Sequence, residues 1–252
     1  MWSSSILWRL RDVTGRIRNF FAAAPAVRWI TFTFLAVFLI QCICQRVECV
    51  QGYSFTYLLW HCLGLCPDLF AAGFFWQALT YMFFHLNWMH LALNTSAVLL
   101  LGAGVEMEIG TRRFLRVFLL GGIVGGLAWV LCDLAAVRLA VGVTGLPAWL
   151  TVLVDGFVRN RAVTAENNTI CLGASGGVFA LVGACAALFP RRHMLLFLIW
   201  PVRTRRLAIV LGISTVFLAI YGGGHVAHLA HLAGGLAGYV YGRHLVTAGC
   251  GD

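Results

Sequence analysis

Apolar residues gather in six stretches: roughly Val27 to Cys44, Trp88 to Val105, Phe114 to Leu134, Cys171 to Phe189, Leu207 to Tyr221 and Val226 to Val246. From Leu172 onward the fourth carries no charge for eighteen residues, about the length that crosses a hydrocarbon core of roughly 30 Å. Each stretch reads as a membrane-spanning helix. Residues 45–86 hold Trp60, Phe74, Phe75, Trp76 and Phe84 among polar breaks, a long loop expected to lie partly in the membrane interface. Met194 to Val202 is apolar but short and ends in Pro201-Val202, so it too reads as interfacial. Ahead of the first span, Ile6, Leu10, Val13, Ile17 and Phe20 recur at helical spacing, with arginines elsewhere around the helix. That pattern suits an amphipathic helix on an anionic membrane surface. The arginines, the serines and the single acid Asp12 leave an organelle transit peptide as the competing reading.

Composition agrees. The chain has 252 residues, 61% hydrophobic and 11% charged, against about 25% charged in soluble domains. The basic residues are all arginine, and they border apolar runs, which points to membrane topology rather than nucleic acid. With six spans, fourteen of the eighteen arginines fall on the side that holds both termini. The positive-inside bias therefore puts both termini in the cytosol, with a bacterial inner or plasma membrane as the expected location. The organisation expected is a cytosolic amphipathic segment 1–26, a six-span domain 27–246 and a short cytosolic tail 247–252. Nine cysteines form no zinc or redox spacing; Cys49, Cys62, Cys66 and Cys171 lie on the non-cytosolic side, where a disulfide can form.

The second, fourth and sixth spans all enter from the non-cytosolic face, and each has unusual polar residues within about two turns of its entry. These are His90 and Asn94, then Ser175, then His228 and His231. Two turns are about 11 Å, so the groups share one shallow layer. Ionisable residues in a span default to a functional reading. His90 and Asn94, four apart, lie on one helix face, as do His228 and His231, three apart. Gly234, Gly238 and Gly242 repeat every four residues, a pattern of close helix packing. Together with Gly173, Gly176 and Gly177 around Ser175, it predicts that the fourth and sixth spans touch backbone to backbone, bringing the hydroxyl to an imidazole. A histidine metal site lacks an HExxH pattern or an intramembrane carboxylate, and spans four to six contain no Asp or Glu for an ion relay. Serine chemistry, without metal or cofactor, fits better; a small channel or transporter using the histidine layer is the outlying alternative.

These residues resemble a known family. GASG at Gly173 to Gly176, HLNWMHLALN at His85 to Asn94 and HLAGGLAG at His231 to Gly238 are similar to motifs of the rhomboid intramembrane serine proteases, in family order. WQALTYMFFH, Trp76 to His85, and LGAGVEMEIG, Leu101 to Gly110, extend the likeness. The resemblance implies an all-α polytopic bundle of six transmembrane helices with a long interfacial loop between helices 1 and 2. It implies Ser175 as nucleophile and His231 as general base of a Ser-His dyad, and an oxyanion hole from His90, Asn94 and the Ser175 N–H. Phe179 matches an aromatic on which the catalytic imidazole rests, and His85 a supporting histidine. Gln77 stands where some members have arginine, so whatever that arginine anchors is held here more weakly or differently. The implied partners are transmembrane protein substrates in the lipid bilayer; an inactive relative binding transmembrane clients is the alternative.

Overall fold

The computed structural model describes residues 19–50, 53–142, 170–196, 200–221 and 228–249. Helix α1 spans Pro25–Cys44. It is followed by the short pair β1 (Glu48–Val50) and β2 (Tyr53–Ser54), then by α2 (Phe55–Leu63), α3 (Pro67–Ala71) and α4 (Gln77–Thr80). Helix α5 covers Trp88–Ile109, with a wider turn at Val98–Gly102, and α6 covers Thr111–Gly142. Helix α7, Ser175–Leu188, leads into an antiparallel hairpin of β3 (His193–Leu196) and β4 (Trp200–Arg203). Helices α8 (Thr204–Tyr221) and α9 (His228–Thr247) complete the bundle. The amphipathic segment expected ahead of the first span lies mostly outside the described residues.

Among the described residues three helices are long and apolar enough to cross a membrane by length and composition: Pro25–Cys44, Trp88–Ile109 and Thr111–Leu134. Their outer faces are apolar; Trp29, Phe32, Leu39 and Ile43 of α1 are all exposed. That is the surface of a multi-pass membrane protein, whose outer side chains meet lipid rather than water.

Helix α7 departs from the expected span. It holds 14 residues, about 21 Å at 1.5 Å per residue, less than the hydrocarbon thickness. The cause lies just before it. Cys171 exchanges two backbone hydrogen bonds with Leu65, at 2.8 and 3.0 Å, and Gly173 sits at φ +116°, so residues 171–174 cannot continue the helix. Every residue of α7 except Ser175 and Phe179 is buried. A helix apolar on all sides is buried on all sides, and the two exceptions are candidate site residues.

Small residues set how close the neighbours come. In α6, Gly121 and Gly125 face Ala180 of α7 and Ala230 of α9, while Gly122 and Gly126 face Met82, Tyr81 and Leu65. Glu106 marks where α5 outruns the expected end at Val105. Its carboxylate accepts the N–H groups of Ala26 and Val27, both at 2.9 Å, and the Thr111 hydroxyl at 2.7 Å. This caps α1 with a negative charge at the positive end of its dipole, so α1 is tied into the bundle.

Candidate active site

The site begins with the turn ahead of α7. Gly173 donates its N–H to the Tyr81 carbonyl at 2.9 Å, and its positive φ delivers Ser175 to the first position of the helix. Ala174 caps the helix without a side-chain acceptor. N–H groups of a first helical turn have no intrahelical partner, so those beside Ser175 are free to meet an anion.

Helix α9 lies against α7 backbone to backbone, as the glycine spacing predicts. A side chain at Gly234 would run into the backbone of Gly176, and one at Gly238 into that of Ala180. At this separation His231 Nε2 and Ser175 Oγ lie 2.7 Å apart, a hydrogen bond between part-buried groups. The His231 ring stacks on Phe179 with centroids 4.4 Å apart and planes within 1°. One face of the imidazole is thereby fixed, leaving its edge on the hydroxyl. His228 meets His231 edge-on at 6.3 Å, in contact with the second imidazole rather than with the hydroxyl.

His90 reaches the same turn from α5. A Cβ on Gly173 would stand 2.6 Å from His90 Nε2, so glycine is required there for space as well as for φ. Asn87 caps α5, its side chain accepting the His90 N–H at 2.9 Å, which sets where this helix starts. Asn94 is buried one turn further along, and its side-chain amide donates to the His90 carbonyl at 3.0 Å. His85 is fully buried 5.3 Å from His90 and 4.9 Å from Phe34, ring to ring. Among the described residues neither of its ring nitrogens makes a well-formed hydrogen bond, and the Phe83 backbone acts on the ring only as a minor influence. Burial, with His90 alongside, pushes this imidazole down to about 3, so it stays neutral. The structure thus joins Ser175, His231 and Phe179 directly, brings His90 to them through Gly173, and places Asn94, His85 and His228 in the surrounding layer.

Several buried polar residues support this arrangement, of which Tyr81 and Gln41 do not stand out in the sequence. Tyr81 holds the turn through its carbonyl, while its hydroxyl donates to the Gly122 carbonyl at 2.7 Å, linking the turn to α6. Gln41 of α1 brackets His85, donating to its carbonyl at 3.0 Å and accepting its N–H at 3.2 Å. Gln77, where an arginine was the alternative, is fully buried. It donates to the His61 carbonyl at 2.7 Å and accepts the Cys66 N–H at 3.1 Å. The neutral amide thus fixes the segment leading to Leu65 and the Cys171 bridge. Cys62, Cys66 and Cys171 are free thiols; the side chain of Cys49 lies outside the described residues.

Comparison with known proteins finds relatives of this chain. Rhomboid protease GluP of Bacillus subtilis (strain 168) is 35% identical over 98 residues, 39% of this chain and 19% of that protein. Rhomboid-like protease 3 of Toxoplasma gondii is 27% identical over 121 residues, 48% of this chain and 44% of its own length. The chain therefore spans less than half the length of these curated relatives. The family model for the Rhomboid domain matches residues 72–248, most of the chain and a range that includes His85, His90, Asn94, Ser175, Phe179, His228 and His231, and the chain belongs to the rhomboid family.

Proposed function

We propose that this protein is an intramembrane serine endopeptidase that cuts transmembrane segments near the non-cytosolic face with the dyad Ser175 and His231. The observation that carries the reading is the 2.7 Å approach of His231 Nε2 to Ser175 Oγ, with the imidazole held on Phe179. His231 removes the hydroxyl proton as the oxygen attacks the scissile carbonyl. The developing oxyanion is met by the Ser175 N–H, His90 and Asn94, whose amide keeps a second N–H beyond the one given to the His90 carbonyl. One such donor is worth roughly 3–4 kcal/mol in comparable sites. His231 then protonates the leaving amine, and water from the non-cytosolic side hydrolyses the acyl-enzyme.

In this reading the catalytic domain is 27–246 and crosses the membrane six times with both termini cytosolic. Supporting it are the three long apolar helices, the fully surrounded α7 and the arginine bias. The Glu106 cap supports including α1, although the family match begins at residue 72. A helical peptide bond is shielded by its own hydrogen bonds, so substrates with glycine or other helix-weakening residues near the cut are preferred. The test is purified protein in detergent with a single-span substrate and a fluorophosphonate probe, beside Ser175→Ala. Cleavage and labelling should both depend on Ser175. A wild type that is folded yet neither labelled nor active would overturn the reading and leave a client-binding relative.

A further inference from the structure

At the far end of α7, about 20 Å of helix from Ser175, Leu188, Phe189 and Pro190 form the apolar wall of a cleft of about 630 Å³. The rest of its lining is arginine: Arg191, Arg192, Arg203, Arg205 and Arg206. The cleft is built by secondary structure. The β3–β4 hairpin sets His193 opposite Arg203, Thr204 donates its N–H to the Arg192 carbonyl at 3.0 Å, and its hydroxyl bonds the Phe189 carbonyl. Arg191 and Arg192 on one side of the hairpin and Arg203, Arg205 and Arg206 on the other therefore face one space.

Among the described residues none of the five makes an ion pair with a carboxylate. Arg192 lies 5.2 Å over the Phe189 ring and the others line the opening. Arg205 and Arg206 also occupy the first turn of α8, where the helix dipole disfavours cations. All five are exposed, so water screens their repulsion, but their convergence at one opening offers many N–H donors to an anion. Guanidinium groups pair with phosphate oxygens through paired N–H donors, which selects phosphate over a simple halide.

We propose that this cleft binds the phosphate of an anionic phospholipid headgroup. Lipid is favoured over a free phosphate by what borders the arginines. One wall is apolar, and directly above Arg205 and Arg206 the residues Ile209, Val210 and Ile213 of α8 are 51, 58 and 65% exposed, a track for acyl chains. The arginine bias puts this end of the bundle at the cytosolic leaflet, where anionic lipids attract basic pockets. The proposal does not depend on Ser175 being reactive.

The test is native mass spectrometry of the full chain in detergent with dioleoylphosphatidylglycerol or dioleoylphosphatidylcholine. The anionic lipid should bind at least about tenfold more tightly, since each arginine near an anionic surface contributes roughly fivefold. Replacing Arg203, Arg205 and Arg206 with glutamine should remove that preference. Arg112→Gln, Arg113→Gln and Arg243→Gln together, an equal loss of charge outside the cleft, should leave it within about twofold. Equal loss in both triple variants would overturn the proposal in favour of diffuse surface charge. Displacement of the lipid by an equal concentration of inorganic pyrophosphate would overturn it in favour of a soluble phosphate ligand. If the cleft variant fails to fold by circular dichroism, Arg205→Gln alone, at an exposed position, should still weaken binding about fivefold; unchanged binding there would also refute it.

Discussion

An alanine at position 238 should force apart the two helices that carry the proposed dyad. A methyl group built on Gly238 would stand 2.6 Å from both the Ala180 carbonyl carbon and its Cα, where ordinary contact begins at 3.4 Å, a shortfall of roughly 0.8 Å. The obstacle is backbone, so no rotamer change relieves it. Helix α6 packs on both helices, Gly121 against Ala180 of α7 and Gly125 against Ala230 of α9, so neither moves freely. Whichever helix yields, the strain is released by widening the gap between Ser175 and His231. The Ser175–His231 distance is 2.7 Å, and lengthening by about 1 Å takes it past the range of a useful hydrogen bond. Overpacking of this kind costs about 1–3 kcal/mol of stability, and a misplacement of about 1 Å in a catalytic group costs about 100-fold in rate. Cleavage of a single-span substrate and the fluorophosphonate labelling rate would be measured beside thermal unfolding. Gly212→Ala in α8 is the control, since nothing lies within 4 Å of its added methyl, and helix propensity should gain it up to about 1 kcal/mol. A folded Gly238→Ala protein that cleaves within about threefold of wild type would refute the argument that backbone contact between α7 and α9 sets the dyad.

Ser175→Ala and His231→Ala should each abolish cleavage, whereas His228→Ala should only impair it, because His228 touches the second imidazole and not the hydroxyl; equal tolerance of both histidine changes would mean the base is misassigned. Glu106→Gln should lower the melting temperature, since a carboxylate taking three hydrogen bonds becomes an amide with one acceptor oxygen. The loss is about 1.5–3 kcal/mol for each charge-assisted bond removed, and the residual folded fraction should keep its labelling rate. Tyr81→Phe loses one buried hydrogen bond to the Gly122 carbonyl, about 1 kcal/mol plus the cost of an unpaired acceptor, and should slow labelling of Ser175 as well as lower the melting temperature.

What the sequence makes legible follows from how few reasons a residue can have for being where it is. A histidine or asparagine inside an apolar stretch is costly enough to demand a partner, so His90, Asn94, Ser175 and His231 stand out before any fold is known. Glycine at every fourth position has one efficient use, close approach, and Gly234 and Gly238 serve it. The start of α7 is not legible in the same way. Apolarity continues smoothly from Cys171 into Val178, while the break comes from a pairing with Leu65, more than a hundred residues earlier. Tyr81 and Gln41 escape for a related reason, and Gln77 is noticed only as a departure from arginine, not for what it holds. Each serves backbone carbonyls or N–H groups of remote segments, and a backbone group leaves no signature in the residue it belongs to.

The arginines show the limit most sharply. Counted along the chain they report only which side of the membrane they occupy, because a charge tally ignores which of them meet. Thr204 and the hairpin bring residues 191–192 onto 203–206, so charges that a tally only counts become the lining of one cleft. The proposed orientation needs only that these arginines stay on one side, and scattered positions would serve it equally well. Gathering five exposed guanidinium groups at one opening is an arrangement that orientation does not require, and it is the arrangement a site for an anionic headgroup would use.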